Sequence, residues 1–122
     1  MKFKDKMLVF VFILAILGFI LRIYNLGFQS LWIDEGFSIN AASSILKHGY
    51  PLLESGIVYS GSLLNSYLIA VFMFFYNGIF SARLVSVIFG VLMIILSYYF
   101  GKEFGNNKIG LMTAIFVTFS IW

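Results

Sequence analysis

The chain contains no cysteine, one proline, one histidine and few charges, 11% of its residues where a soluble domain carries roughly a quarter. Each shortage excludes something. Without cysteine there is neither a disulfide nor a thiolate metal site, and the redox compartment stays open. A single histidine, His48, with no second beside it, gives no metal centre, and no residue is assigned as a metal ligand. The basic residues exceed the acidic ones by three. Beyond the N-terminal Lys2, Lys4 and Lys6, however, they are scattered as Arg22, Lys47, Arg83, Lys102 and Lys108. They form no basic stripe, so no nucleic-acid partner is expected. Nor is there a glycine-rich phosphate loop, an internal repeat or a low-complexity linker. What fills the chain is apolar: 61% hydrophobic and 20% aromatic residues, with a mean hydropathy of +1.01. That is the composition of an integral membrane protein.

Four apolar runs predict an all-α integral membrane fold. The first, residues 7–24, is long enough as a helix to cross a hydrocarbon core of roughly 30 Å. It exits through LRIYNLGF with no small-residue cleavage site, so it reads as a retained span and not a signal peptide. Lys2, Lys4 and Lys6 precede it against Asp5 alone, and the positive-inside rule keeps that terminus cytoplasmic. Residues 25–61 then form an outer loop. A second span is expected at 62–80, broken at Gly78, followed by a short inner turn of Ser81, Ala82 and Arg83. A third is expected at 84–100, where Ser86, Gly90, Ser97 and Gly101 offer small residues for packing on a neighbouring helix. This arrangement puts the 102–108 loop outside, with Lys102 and Lys108 on the face the rule expects to be poor in basic residues; the N-terminal cluster is taken to decide. The fourth run, 109–122, rises only roughly 21 Å and reads as a span cut off before it crosses. The chain is therefore expected to be the N-terminal part of a larger, multi-pass protein of the cell membrane.

The outer loop carries the chemistry. Asp34 and Glu35 lie side by side between long apolar runs, and carboxylates so placed must face water or a protein cavity, which makes them a functional-site candidate. Ile33, Phe37, Ala41 and Ile45, with Ala42 and Leu46, recur at helical spacing and predict an amphipathic helix along the membrane surface from about residue 31 to 48. Ser30 is the expected N-cap, the two acids sit near the first turn where the helix dipole favours anions, and Gly49 with Pro51 is a stop signal. A plain alternative is a solvated surface helix whose acids only satisfy its N-terminus. His48 reads as a partner for the helix C-terminus.

Three stretches together resemble the start of membrane glycosyltransferases of the GT-C fold, the protein O-mannosyltransferase and aminoarabinose transferase group (glycosyltransferase family 39-like). They are LRIYNLGFQSLWIDEGFS, HGYPLLESGIVYSGSLLNSYL and ARLVSVIFGVLMIILSYYFGKEFG. The order of LWIDE after one span, HGYP after the surface helix and ARL opening a later span carries the resemblance, which covers about residues 20 to 120. It implies an enzyme that transfers a sugar from a polyprenyl-phosphate carrier to a lipid, glycan or protein acceptor on the outer face. Carried over by position, Asp34 matches the acidic residue assigned as catalytic base, and Glu35 its acidic companion. The chain departs from its relatives at YSGSLLNSYL, where they often carry a proline or a basic residue, and it lacks their later spans. The 122-residue chain alone is expected to be inactive.

Such a transfer needs a base for the acceptor hydroxyl and positive charge for the leaving phosphate. Asp34 fits the first task. For the second the sequence offers Arg22, Lys47 and His48 as substrate-binding residues, with Tyr59 in the following loop, or a divalent cation held by carboxylates. Arg22 is equally expected to be the ion-pair partner of Asp34 or Glu35, since buried charges are paired. Two other classes stay open: a non-enzymatic membrane scaffold or assembly subunit, in which both acids are replaceable, and a transporter fragment, which would place ionisable groups near the bilayer midplane.

Overall fold

The computed structural model describes residues 3–24, 26–28, 30–76 and 78–120, with side chains from Lys6 onward. The expectations resting on Lys2, Lys4 and Trp122 lie outside the described residues. Five helices follow one another: α1 (Phe3–Ile23), α2 (Ile33–His48), α3 (Leu63–Phe75), α4 (Ile79–Glu103) and α5 (Asn107–Phe119). Among the described residues there is no strand, only an isolated antiparallel bridge between Leu52 and Val58. Two helices, α1 over Lys6–Ile23 and α4 over Ile79–Phe104, are long and apolar enough to cross a membrane; α3 and α5 are apolar but shorter.

The chain divides into two compact units, Met1–Tyr24 with Val87–Trp122, and Asn25–Ser86. In the first, Val11, Ile94, Tyr98 and Ala114 are buried together, with Leu14, Leu111 and Val117 against them. Helix α5 opens on Asn106, whose Oδ1 accepts from the Lys108 and Ile109 N–H groups at 2.9 and 3.1 Å. It packs so tightly on α4 that a Cβ at Gly110 would meet the Tyr98 carbonyl oxygen at 2.5 Å. The small-residue face expected on α4 divides here. Thr113 donates to the Ser97 carbonyl at 2.7 Å and Gly101 faces Gly110, whereas Ser86 is exposed and belongs to the other unit.

In the Asn25–Ser86 unit, α2 forms where the acids and the stop signal predict it. Its N-cap is Trp32 and not Ser30: Glu35 Oε2 accepts from the Trp32 N–H at 3.2 Å, half of a capping box. Gly49 closes the helix in the left-handed conformation at φ 82°, donating to the Ile45 carbonyl. Ile33 and Phe37 are exposed, at 77% and 42%, and Ser38, Ala41, Ala42 and Ser44 are buried. Small side chains let α3 approach closely: Ala42 packs with Ile69, Ala70 and Met73 of α3 and with Ala82 and Val85 of α4.

In this unit α3 is shorter than the expected second span, and the next helix begins earlier than expected. Helix α3 covers 13 residues, a length of about 20 Å. It stops at an extended Tyr76, whose carbonyl accepts from Ser81 Oγ, and α4 starts at Ile79, before the expected third span. Ser62 Oγ lies 3.2 Å from Ser38 Oγ, and Arg83 Nη2 lies 2.9 Å from Glu35 Oε2. Glu35 and Ser38 are less than one turn apart on α2, a rise of about 4.5 Å. Residues 62–83 therefore leave and return beside the same turn of α2. Arg83, expected in a turn apart from the acids, lies in α4 and touches Glu35.

Candidate functional site

The first turns of α2 present one wall of a cavity of about 480 Å³, within the range of small-molecule sites. Asp34 and Ser38, one turn apart, line it from α2; Tyr59, Gly61 and Ser62 from the loop; Asn65 and Ile69 from α3; Ala82, Arg83 and Ser86 from α4. Ile39 completes an apolar floor with Ile69 and Ala82. All of these residues belong to the Asn25–Ser86 unit.

The two acids are held differently. Glu35 takes a bidentate pair from Arg83, Nε to Oε1 at 3.1 Å and Nη2 to Oε2 at 2.9 Å, the fork geometry that makes guanidinium the better partner for a carboxylate. Arg83 is buried, and it also donates to the Leu26 carbonyl at 2.7 Å and the Ser30 carbonyl at 3.2 Å. One guanidinium thus ties the segment entering α2 to the first turns of α4. The hydrogen bonds from Arg83 hold the Glu35 carboxyl below its ordinary value, helped by the Trp32 N–H and by the Arg83 charge and opposed by partial burial. Asp34 is exposed, and no hydrogen bond or ion pair engages it among the described residues. Beside it runs a chain of hydroxyls, Ser62 Oγ donating to Tyr59 Oη at 3.3 Å and lying 3.2 Å from Ser38 Oγ. The Phe37 ring stacks on Tyr59 with centroids 6.3 Å apart.

Of the residues singled out from the sequence, Asp34, Glu35 and Tyr59 meet in this cavity and Arg22, Lys47 and His48 do not. Lys47 and His48 occupy the last turn of α2, about 20 Å along the axis from Asp34, and the His48 ring faces Tyr50. The pairing with Glu35 expected of Arg22 is made by Arg83 instead. Arg22 belongs to the other unit, where it donates to the carbonyls of Gly18, Val117 and Thr118 at 3.2, 2.8 and 3.3 Å. Its Nε is buried without a hydrogen-bond partner among the described residues. Arg83 takes the role expected of it. The signal was present: Arg83 is the one basic residue between Lys47 and Lys102, and a charge inside an apolar run needs a partner. Asn65, Ser62 and Ser86 carry no comparable signal, because single small polar residues recur throughout the chain.

Among the described residues no three His, Asp or Glu side chains converge to hold a metal ion. With Glu35 committed to Arg83, a divalent cation would have Asp34 as its single free carboxylate in the cavity, a poor match for a hard cation that takes six or more oxygens. No protein-family model, curated protein or solved structure matches the chain.

Proposed function

We infer that the protein is a membrane glycosyltransferase, or the N-terminal part of one, that uses the Asp34 cavity to join an acceptor hydroxyl to a sugar carried on a polyprenyl phosphate. The observation that carries this reading is the division of labour between adjacent carboxylates. Glu35 is locked by Arg83 and positions the turn, while Asp34, unpaired among the described residues, lines a cavity with hydroxyl and amide groups. An unpaired carboxylate next to neutral hydrogen-bonding groups suits a general base and a polyhydroxylated ligand. In the step proposed, the acceptor oxygen attacks the anomeric carbon as the bond from that carbon to the phosphate oxygen breaks. The bonding pair leaves with the phosphate, the acceptor proton passes to Asp34, and the anomeric configuration inverts. The phosphate is a good leaving group and needs no acid.

Among the described residues Arg83 is the one cation lining the cavity, and it is engaged by Glu35 and by the Leu26 and Ser30 carbonyls, so the cavity is assigned to the neutral sugar and acceptor hydroxyls. The phosphate is to be met by groups elsewhere in the protein. On this reading α1 and α4 cross the cell membrane, the N-terminus is cytoplasmic and the site faces outward. The test is transfer of labelled sugar from a polyprenyl-phosphate donor by membranes carrying the complete gene product. Asp34→Asn is expected to lower the rate of the chemical step about 10²-fold or more with donor binding retained. Full activity in that variant would remove Asp34 from the mechanism. If neither Asp34→Asn nor Glu35→Gln changed the cell phenotype, the scaffold reading would take its place.

A further inference from the structure

Helix α3 leaves one face without a partner among the described residues. Ser66, Ile69, Ala70 and Met73 are buried against α2 and α4. Leu64, Tyr67, Val71, Phe74 and Phe75 are exposed at 75, 44, 58, 74 and 81%. Water is a poor environment for so much contiguous apolar surface. We propose that this face lies in lipid, with α3 seated in the outer leaflet along the membrane interface, so that the whole Asn25–Ser86 unit stays on one side and the chain crosses only through α1 and α4 before α5. The proposal concerns topology and does not depend on the transferase reading.

Three observations commit the face to lipid and not to another helix. The first is its place in the chain: α3 ends four residues before α4, a helix of spanning length, so the bilayer is within its reach. The second is its composition. Where two helices pack closely in this protein, α4 on α5, they meet through Gly101, Gly110 and Thr113, as membrane helices do. The exposed face of α3 has no small residue and presents large aliphatic and aromatic groups, which fill lipid better than they admit a neighbouring backbone. Its aromatic members suit the headgroup boundary. The third is charge. Were α3 to cross, Lys2, Lys4, Lys6 and Arg83 would face the cytoplasm and Arg22, Lys47, Lys102 and Lys108 the outside, an even division of the eight basic residues. With α3 in the interface, Lys102 and Lys108 join Lys2, Lys4 and Lys6 inside, five against three. The distribution that contradicted the positive-inside rule then obeys it.

Because the chain has no cysteine, single cysteines can be placed at Leu64, Val71 and Phe75, with Phe89 of α4 as a spanning reference, and spin-labelled in phospholipid nanodiscs. Collisions with oxygen and with a water-soluble nickel chelate then report depth. Labels at 64, 71 and 75 are expected to be oxygen-accessible and shallower than the label at 89, all referred to one face. In liposomes, a cysteine at Asn106 should react with an impermeant thiol reagent from the face opposite to one at Glu54. Depths that run from one face at 64 to the other at 75, or labelling at 106 and 54 from the same face, would show that α3 crosses. Nickel access along the whole stripe would place it in water. Protection from both reagents would mean that protein covers it, a second copy if dilution with unlabelled chain removes dipolar broadening. Each of these three results overturns the proposal.

Discussion

Replacing Glu35 by glutamine keeps the shape of the side chain and removes one charge, which isolates what the Arg83 pair contributes. The carboxylate accepts three hydrogen bonds, two from Arg83 and one from the Trp32 N–H. Glutamine has one acceptor oxygen, so one Arg83 donor would face an amide N–H instead, and the remaining bond would lose its charge assistance. Hydrogen bonds to charged groups contribute about 1.5–3 kcal/mol, and exposed ion pairs about 0–1 kcal/mol. With Arg83 7% and Glu35 31% exposed, solvent screens one partner only, and a loss of about 1.5–2.5 kcal/mol follows from these limits. At 1.36 kcal/mol per decade that is roughly a ten- to seventy-fold rise in local opening. The assay is amide hydrogen exchange, read at Gly36 and over 79–86, with α5 as an internal control. Arg83→Met should open the same amides further, since it also strips donors from the Leu26 and Ser30 carbonyls. The double variant should be less than additive. A rise below about threefold, equivalent to roughly 0.6 kcal/mol, would put the pair in the exposed class and refute its role as the tie between α2 and α4.

Acid should release the same tie. The Glu35 carboxyl is held below its ordinary value, so its stabilisation is fully present above the unfolded-state value, about 4.3, and is lost as pH falls through the lowered native one. A spin label at position 31 should therefore gain mobility as pH falls below about 4.3, and the rise should vanish in Glu35→Gln. Asp34→Asn should leave the exchange of both helices unchanged, since no described residue bonds to it, and should act on turnover alone. At the other unit, Gly110→Ala drives a Cβ against the Tyr98 carbonyl oxygen and should cost about 1–3 kcal/mol in thermal unfolding of α4 and α5. Gly36→Ala, with nothing within 4 Å of its Cβ, should be neutral or stabilising by about 0.5–1 kcal/mol.

Hydropathy made the two longest helices legible and left the middle of the chain open. Residues 7–24 and 84–100 are uninterrupted apolar runs, and both fall within helices of spanning length. Residues 62–80 pass the same test by count, yet Tyr76, Asn77 and Gly78 divide them. A turn dipeptide near the end of a run reads equally as the end of a span or the end of a short helix. What decides between them is long-range: the Ser38 and Ser62 contact and the Arg83 fork on Glu35. Neither is expressed in local periodicity. The face that α2 buries against protein was hidden for a related reason. Periodicity ranks faces by hydrophobicity, but α2 buries Ala41, Ala42 and two serines because closeness of approach to α3 outweighs side-chain size.

The site was legible to the extent that its chemistry is local. Adjacent carboxylates on a helix point about 100° apart, so one turn of α2 cannot offer Asp34 and Glu35 to the same ligand, and a difference in role follows from geometry alone. Which acid is committed does not follow, because the deciding cation is 48 residues from Glu35 in sequence. Arg22 was the nearer candidate in sequence and lost to Arg83 for a physical reason. A guanidinium near the C-terminal end of a helix already has carbonyls to satisfy, and Arg22 spends its donors on Gly18, Val117 and Thr118. Arg83, in the second turn of α4 and inside an apolar run, can stay buried only with a carboxylate and carbonyls brought to it. Fixing Glu35 in this way fixes the turn that carries Asp34, which lines the same cavity as Ser38, Ser62 and Tyr59 and has no partner among the described residues.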